Sequence, residues 1–300
     1  MSVICIVVTY NRKELLFKCL DSLMNQTLNI DKILVVDNAS IDGTVDELKN
    51  KKSLLDKIKI LELSENIGGA GGFHVGMNYA LTLHYDWIWM MDDDGFPEKK
   101  CLEILYSYGV NKKLDAISPV QIDINNTNKL AFPLNLYGYQ VNGSYEQLKN
   151  HEFIENEANL FNGLLIRKNK IDLIGLPRSE LFIRGDEVEY TKRMLKKKLN
   201  FGTVVSARFF HPSDSAERIK VLFSLWTIRD AHSDFKNYYM FRNRAVAFIE
   251  DGNAWLLPLD FIRYTYYFIV FKKYNWKGLK LWCTATYDGI RGRLGRHPKY

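Results

Sequence analysis

The sequence contains three consecutive aspartates, Asp92, Asp93 and Asp94, directly after the apolar segment 87–91. The apolar segment predicts a buried strand, so the carboxylates lie at its end. Neighbouring carboxylates repel one another and unpaired buried charge is costly, which favours a bound cation. Because side chains alternate along an extended chain, Asp92 and Asp94 share a side and can chelate Mg²⁺ or Mn²⁺ together with phosphate oxygens. A helix cap is the alternative, although a cap needs one acid rather than three.

Polar or glycine-rich segments also follow the first three predicted strands, at residues 9–12, 37–40 and 66–72. The carboxyl ends of parallel strands meet at one edge of a sheet, so we expect all three segments beside the aspartates. Asp37 is suited to accept a hydrogen bond from a uracil or thymine N–H or from a ribose hydroxyl. The glycines let backbone amides approach a phosphate or a sugar closely. Taken singly, each segment also fits an ordinary tight turn.

Two further candidate sites lie in the second half of the chain. Asp186 and Glu187 occur at a predicted helix start, where a carboxylate can act as the general base that deprotonates an acceptor hydroxyl. Acidic residues in a first turn also stabilise the helix dipole, so that interpretation stays open. His211 ends a predicted strand and is either a third metal ligand or a packed residue without a ligand.

Alternating strands and helices position these residues. Their order predicts an α/β fold with a Rossmann-like, mostly parallel, doubly wound sheet and a ligand site at the carboxyl ends of the strands. Segment 212–236 has few structural signals and is expected to be mobile, and helical patterns begin at Asn237. The predicted organisation is an α/β domain at 1–215, which carries the candidate site residues, and a helical, basic, aromatic region at 216–300. The predicted strands are 3–9, 32–36, 57–63, 87–91 and 200–211, and the predicted helices are 13–25, 42–49, 72–83 and 186–197.

The composition describes a globular protein with an unusual C-terminal region. The 300 residues are 47% hydrophobic, which is enough for a sizeable core, and the four scattered cysteines exclude a zinc ribbon or a disulfide framework. Residues 263–300 hold nine Lys or Arg and one acid, Asp288, among many aromatic side chains. This pattern suits an anionic membrane surface or another polyanion, and a merely solvated helical face has the same composition.

The longest apolar stretch near the C-terminus is too polar to cross a membrane. The apolar stretch 255–271 contains Asp260 and Arg263. The N-terminal apolar run lacks the features of a signal peptide. We therefore expect a cytoplasmic protein that contacts the inner face of the cell membrane peripherally.

Together these motifs resemble family 2 glycosyltransferases with the GT-A fold, and in particular their bacterial galactofuranosyltransferase and rhamnosyltransferase branch. The resemblance is close over about residues 1–215 and looser beyond them. The asparagine–double-glycine segment and the triple aspartate are its most specific parts. The segments that carry it are 7–12, 35–40, 66–73, 91–94 and 182–190.

The resemblance implies a role for each candidate residue. Gly68 and Gly69 border the pyrophosphate or the donor sugar, and Asp93 faces the donor. Asp92 and Asp94 hold the metal, and His211 completes its protein ligands. The family usually has Asp where this chain has Glu187, and the longer side chain shifts its reach, so Asp186 remains the alternative base. The implied nucleotide-binding residues are Thr9, Tyr10, Asn11, Arg12, Asp37 and Asn66.

The implied activity is inverting transfer of a hexose, galactofuranose or rhamnose, from a UDP- or dTDP-sugar. The acceptor is a glycan, lipid-linked in the favoured interpretation, in the synthesis of cell-surface polysaccharide, and no nucleic acid partner is expected. A Rossmann-fold oxidoreductase is disfavoured, because its glycine fingerprint would follow the first strand and not the third. The other alternative is a non-catalytic, membrane-surface carbohydrate-binding protein on the same fold, and the intact aspartates argue against it.

Overall fold

The computed structural model of the protein describes residues 2–51, 56–136, 139–141, 143–213 and 215–300. The chain forms two compact units, the first comprising Met1–Pro177 and Tyr190–Ser213 and the second Arg178–Glu189 and Asp214–Tyr300. The strands are β1 (Val3–Thr9), β2 (Lys32–Asp37), β3 (Ile58–Glu62), β4 (Trp87–Asp92), β5 (Phe96–Pro97), β6 (Ala116–Asp123), β7 (Leu134–Leu136), β8 (Tyr139–Val141), β9 (Phe153–Glu155), β10 (Asn162–Arg167), β11 (Phe201–His211), β12 (Arg218–Val221) and β13 (Trp226–Arg229). The helices are α1 (Lys13–Met24), α2 (Thr44–Asn50), α3 (Gly68–Leu81), α4 (Cys101–Asn111), α5 (Lys168–Ile174), α6 (Asp186–Lys196), α7 (Asp234–Glu250), α8 (Leu256–Thr265) and α9 (Trp276–Ile290).

The first unit is built around one large sheet. Among the described residues, nine strands take part, in the order β3-β2-β1-β4-β10-β6-β11-β5, with β9 beside β11. β3, β2, β1 and β4 run parallel to one another, β10 is antiparallel to both of its neighbours, and β6 and β11 are parallel. The predicted mostly parallel sheet is therefore confirmed.

β1 shows why this sheet forms. All seven of its residues are buried. Val3, Cys5 and Val7 pack in one apolar cluster, and Ile4 and Ile6 pack in another. The two-residue alternation of a strand thus places apolar side chains on both faces, as a strand covered by helices on both sides requires.

The glycine-rich segment after β3 is not the predicted loop. α3 begins at Gly68, four residues before the predicted start at Gly72, so that prediction is wrong. The glycines allow close packing of the helix on the sheet. A Cβ atom at Gly72 would lie 2.5 Å from Val8 Cγ1, and one at Gly76 would lie 2.7 Å from Ile6 Cγ2.

The second unit contains an element that the sequence did not indicate. β12 and β13 form an antiparallel hairpin within segment 212–236, which was expected to be mobile. α7 begins at Asp234, three residues earlier than predicted, because the Ser233 side chain caps it. The helical pattern predicted from Asn237 onward corresponds to α7, α8 and α9, with one turn of π-helix at Tyr266–Phe271.

Aromatic side chains form the core of the second unit and also cover part of its surface. The exposed apolar side chains follow a helical spacing along α8 and the π turn, at Trp255, Leu259, Ile262 and Val270. In the part of the chain that the structure describes, no helix is both long and apolar enough to cross a membrane. The buried aromatic residues include Tyr238, Tyr239, Phe241, Tyr264, Tyr267, Phe268 and Trp282.

The cysteines divide by exposure. Cys5, Cys19 and Cys101 are buried free thiols, and burial raises the pKa of each. Cys283 is an exposed free thiol on α9, on the same side of the helix as the exposed Tyr287.

Candidate active site

Polar residues from three adjacent strands lie at one edge of the central sheet. In the strand register Thr9 lies beside Asp37, and Val8 lies beside Asp92. The segments that follow β1, β2 and β4 therefore meet at the carboxyl ends of parallel strands, where ligands bind in open α/β sheets.

Arg12 and two of the aspartates form a hydrogen-bonded cluster at this edge. Arg12 Nη1 donates to Asp94 Oδ2 at 2.8 Å and to Asp93 Oδ1 at 3.2 Å. The Thr9 hydroxyl donates to Asp93 Oδ2 at 2.7 Å, and both of these residues are almost fully buried. Asp93 therefore orients Thr9 and Arg12, a role that the sequence did not indicate.

The three aspartates differ in their electrostatic environment. Burial, together with repulsion from Asp94 and Asp93, holds the pKa of Asp92 well above its ordinary value. Burial also raises the pKa of Asp93, to about 6, although Arg12 and Thr9 oppose the shift. For Asp94, burial is outweighed by His211 and Arg12, which lower its pKa. The cost of ionising Asp92 is what a bound cation would relieve.

His211, at the end of β11, lies against this acidic group. Its Nε2 is 3.1 Å from Asp94 Oδ1, and its Nδ1 is 2.7 Å from the Pro212 carbonyl oxygen. A carbonyl acceptor at Nδ1 holds the proton there, so Nε2 is the nitrogen presented to Asp94. Burial lowers the pKa of His211, but the hydrogen bond and charge of Asp94 outweigh it and raise the pKa above its ordinary value.

His211 and Asp94 meet part of what a divalent ion requires of its protein ligands. Neighbouring ligands around an octahedral ion with bonds of about 2.1 Å lie about 3.0 Å apart, close to the 3.1 Å between His211 Nε2 and Asp94 Oδ1. Carboxylate oxygen and imidazole nitrogen both suit Mn²⁺. Among the residues that the structure describes, no group of three or more His, Cys, Asp or Glu is gathered into a metal site. The carboxylates of Asp92 and Asp94 repel each other, and the negative charge of Asp92 helps to raise the pKa of His211.

One carboxylate oxygen of Asp37 is buried without a hydrogen-bond partner among the described residues. Its Oδ2 accepts the Ser40 backbone N–H at 2.9 Å. The residue is only 2% exposed, and no described residue hydrogen-bonds its Oδ1. A buried carboxylate oxygen without a partner is costly, so this position is suited to an N–H or O–H group of a ligand.

Asn11 joins the loops after β1 and β2. Its backbone N–H donates to Ser40 Oγ at 2.9 Å, and its side-chain Oδ1 accepts the Ile41 N–H at 2.8 Å. Its φ of 51° is left-handed, which asparagine tolerates better than most residues. The preceding Tyr10 is exposed, with 41% of its surface open. Asn11 thus connects the loops that follow β1 and β2 at this edge of the sheet, and the Tyr10 side chain there is accessible to solvent.

Two asparagines set the start of α3 beside this edge. Asn66 Oδ1 accepts the Gly68 N–H at 2.8 Å. The buried Asn38 donates from Nδ2 to the Gly68 carbonyl at 2.8 Å and accepts the Ile67 N–H at 3.0 Å. No described atom would lie within 4 Å of a Cβ atom at Gly69, so open space lies beside it. Asn38 is a positioning residue that the sequence interpretation did not single out.

A second polar residue beside the aspartates was also missed. Asn162, the first residue of β10, pairs with Met91, and the preceding Phe161 carbonyl accepts the Asp92 N–H at 2.9 Å. The Asn162 side-chain oxygen is buried, and none of the described residues hydrogen-bonds it. The sequence carried no indication of this position, because Asn-Gly is typical of a turn.

The late carboxylates belong to the second unit, at the start of α6. Asp186 is buried, whereas Glu187 is partly exposed. Glu187 Oε2 accepts the Gly185 N–H at 3.0 Å. Glu187 is therefore the more accessible of the two carboxylates to an incoming hydroxyl.

Comparison with known proteins identifies the class of this chain. The model of the family described as "Glycosyl transferase family 2" matches residues 4–172. The chain is 34% identical to "Galactofuranosyltransferase GlfT1" of Mycolicibacterium smegmatis, covering 98% of each protein, and 34% identical to the protein of the same name of Mycobacterium tuberculosis, covering 100% of this chain and 97% of that one. It is 24% identical to "dTDP-rhamnosyl transferase RfbF" of Shigella flexneri, covering 98% of this chain and 97% of that protein.

Solved structures agree on the fold. The chain matches S. aureus TarS 1-349 in complex with UDP-GlcNAc with a TM-score of 0.60 and 15% identity, over 97% of this chain and 81% of that one. It matches GalNAc-T7 with UDP, GalNAc and Mn²⁺ with a TM-score of 0.56 and 12% identity, over 70% of this chain and 43% of that one. At these identities the likeness shows the fold alone, and it confirms the predicted GT-A fold.

The protein belongs to glycosyltransferase family 2. Within that family it is similar to galactofuranosyltransferases over nearly its whole length. The predicted resemblance is therefore confirmed, and the oxidoreductase alternative is excluded.

Proposed function

We propose that this protein transfers galactofuranose, or rhamnose, with inversion from a UDP- or dTDP-sugar to a glycan acceptor in cell-surface polysaccharide synthesis. The observation that carries this proposal is the contact between His211 and Asp94. It lies at the edge of the sheet where Arg12 and Asp37 are also found. The sugar is inferred from relatives, and the higher identity to galactofuranosyltransferases favours galactofuranose over rhamnose.

In this proposal the first three strand ends bind the nucleotide. Asp37 Oδ1, which no described residue occupies, accepts a base N–H or a ribose hydroxyl. Thr9, Asn11 and Asn66 shape the pocket through their own hydrogen bonds, and Tyr10 lies open beside it. Gly68 and Gly69, at the start of α3, border the pyrophosphate or sugar.

Asp94 and His211 hold Mn²⁺ or Mg²⁺ in this proposal, with Asp92 as the third protein group. A bound divalent ion would supply positive charge to the departing diphosphate. Asp93 keeps the Arg12 guanidinium at the same edge, where it adds a fixed positive charge for the phosphates. Residues 1–215 thus carry the donor site.

Glu187 serves as the general base. It takes the proton of the acceptor hydroxyl while the hydroxyl oxygen forms a bond to the anomeric carbon from the face opposite the nucleotide. The bond from that carbon to the diphosphate oxygen breaks, and the nucleoside diphosphate leaves with the electron pair. Base assistance of this kind contributes about 10²–10⁴-fold. Asp186, which is more buried, is the alternative base.

The proposal is tested with purified protein, a panel of nucleotide sugars and a labelled glycan acceptor, with and without Mn²⁺. We expect transfer from UDP-galactofuranose with an inverted anomeric product. Glu187→Gln should lower kcat by about 10²–10⁴-fold, whereas Asp186→Asn should lower it far less. A protein that binds nucleotide sugars but transfers no sugar to any acceptor, or a retained anomeric configuration, would contradict the proposal.

Membrane contact is part of the same proposal, through residues 216–300. The exposed apolar side chains of α8 and the π turn lie near Lys272 and Lys273 in the chain, and α9 adds the exposed Trp276 and Lys280. An apolar helical face flanked by lysines suits the interface of an anionic bilayer. Such contact would bring a lipid-linked acceptor to the enzyme at the inner face of the membrane.

Liposome flotation tests the membrane contact. Ile262→Ser with Val270→Ser should weaken flotation with anionic liposomes, because both side chains are more than half exposed. Ile41→Ser removes an equally apolar and even more exposed side chain of the first unit, and it should leave flotation unchanged. Equal flotation of all three proteins would contradict the contact.

A further inference from the structure

The loop that leads into α6 has an unusual backbone. Phe182, Arg184 and Gly185 have φ angles of 67°, 64° and 94°. The left-handed region is disfavoured for Phe and Arg, and such conformations persist only where surrounding contacts enforce them. The loop ends at Asp186 and Glu187, the candidate bases.

Asn243, on α7, supplies those contacts. Its side-chain Nδ2 lies 2.9, 3.0 and 2.7 Å from the carbonyl oxygens of Leu181, Ile183 and Arg184, so its two N–H groups are shared among three acceptors. The residue is 5% exposed, so water does not compete for these bonds. One buried amide therefore holds three of the loop's carbonyl groups.

Arg242 fixes the orientation of that amide. Its Nε donates to Asn243 Oδ1 at 2.9 Å, and its Nη2 donates to the Leu181 carbonyl at 2.9 Å. A guanidinium can only donate and a carbonyl can only accept, so the Asn243 oxygen must face Arg242 and its NH₂ group must face the loop.

The connection to Glu187 runs through a single peptide group. The Arg184 carbonyl and the Gly185 N–H are the two ends of one planar peptide bond. Asn243 holds the carbonyl end, and Glu187 Oε2 accepts the N–H end at 3.0 Å. Rotation of that peptide would break both bonds together.

We propose that Asn243 is a positioning residue for catalysis, which holds the Arg184–Gly185 peptide in the orientation that fixes the Glu187 carboxylate. The proposal rests on the proposed function, because it assumes that Glu187 is the base. Displacement of a reacting group by about 1 Å costs about 10²-fold in rate, so loss of this peptide orientation should lower kcat.

The chain offers a matched control for a purely structural role. Asn237 lies on the same helix, is 6% exposed, and makes two side-chain hydrogen bonds, to the Ala231 N–H and to Asp230 Oδ1. Its bonds tie the segment after β13 and not the loop before α6. Asn237→Ala therefore removes a buried amide of equal burial without touching the loop.

The experiment compares Asn243→Ala with Asn237→Ala in the full chain. We expect both to lower Tm, but only Asn243→Ala should lower kcat for transfer, by about 10²-fold, with donor KM within about twofold. Hydrogen exchange of peptides covering residues 181–190, followed by mass spectrometry, should accelerate in Asn243→Ala alone. Should Asn243→Ala fail to fold, Asn243→Ser, which keeps one short hydroxyl, replaces it under the same readouts.

Each outcome decides the question. Equal loss of kcat in the Asn237 and Asn243 variants, or unchanged exchange of the loop in Asn243→Ala, would overturn the positioning role. Full activity of Glu187→Gln would remove the base assignment and with it the catalytic consequence, while the loop-exchange result would still report whether Asn243 holds the peptide.

Discussion

Replacing the buried Asp37 by Asn separates a ligand-binding role from a structural one. In the protein alone, Oδ2 accepts the Ser40 N–H, and no described residue pairs with Oδ1. The Asn oxygen can still accept the Ser40 N–H, and the buried negative charge is gone. We therefore expect the free energy of unfolding of Asp37→Asn to stay equal or to rise slightly.

Nucleotide affinity should change in the opposite direction. A hydrogen bond to a charged group is worth about 1.5–3 kcal/mol, and the Asn NH₂ group cannot accept a base N–H. The Kd for UDP should thus increase by about 10- to 100-fold, since about 1.4 kcal/mol corresponds to tenfold. Isothermal titration calorimetry measures the affinity, and urea unfolding measures the stability.

Asp42→Asn provides the control. Asp42 is an exposed carboxylate in the same loop, and it accepts hydrogen bonds from the Thr44 and Lys13 backbone N–H groups. Its substitution should cost stability and leave the Kd for UDP unchanged. If Asp37→Asn instead lost more than about 1 kcal/mol of stability and bound UDP normally, Asp37 would be a turn-capping residue and the reasoning would be refuted.

Three further predictions concern packing, pH and metal. Gly72→Ala should lower the free energy of unfolding, measured in urea, by about 1–3 kcal/mol, because its Cβ atom would lie 2.5 Å from Val8 Cγ1. Gly69→Ala, whose Cβ atom would meet no atom within 4 Å, should raise that free energy by up to about 1 kcal/mol, and a change of the same sign in both variants would contradict this. Burial raises the pKa of Glu217, but Arg184 and Arg229 outweigh it and hold that pKa below its ordinary 4.5. The ion pair therefore stabilises the fold above pH 4.5, and this stabilisation is lost as the pH falls through the lower pKa of the folded state. The difference in Tm between the wild type and Glu217→Gln should thus shrink below pH 4.5, and a difference that does not change with pH would contradict a stabilising role of the pair. Chelation of divalent ions should abolish transfer, and His211→Gln should require at least about 10-fold more Mn²⁺ for recovery; activity that survives exhaustive chelation would exclude the metal role.

The elements that position the candidate site could be predicted because strong local patterns specify them. β1 was predicted with its observed bounds, since six consecutive apolar residues followed by Thr9, mostly β-branched, have few other structures available to them. The meeting of the strand ends followed from parallel order alone. Hydrogen-bond partners such as Asn38 could not be predicted, because they depend on where α3 lies against the sheet.

The two wrong predictions have different physical causes. α3 starts on glycines, which are poor helix formers, where the Asn38 and Asn66 side chains accept the N–H groups of Ile67 and Gly68. The β12–β13 hairpin turns through Leu222, Phe223 and Ser224, all with positive φ, so it lacks the Gly or Asn that usually marks such a turn. The strands of the hairpin are nevertheless anchored, because Val221 and Ile228 are buried in the aromatic core of the second unit.

The distribution of the thiols makes this chain ready for site-specific labelling without any substitution. A maleimide dye should react at Cys283 first, because the other three sulfur atoms are buried and the dye cannot reach them. A fluorophore that senses polarity would then sit on the outward side of α9, and the presence or absence of a blue shift in its emission on adding vesicles would report whether that helix contacts lipid.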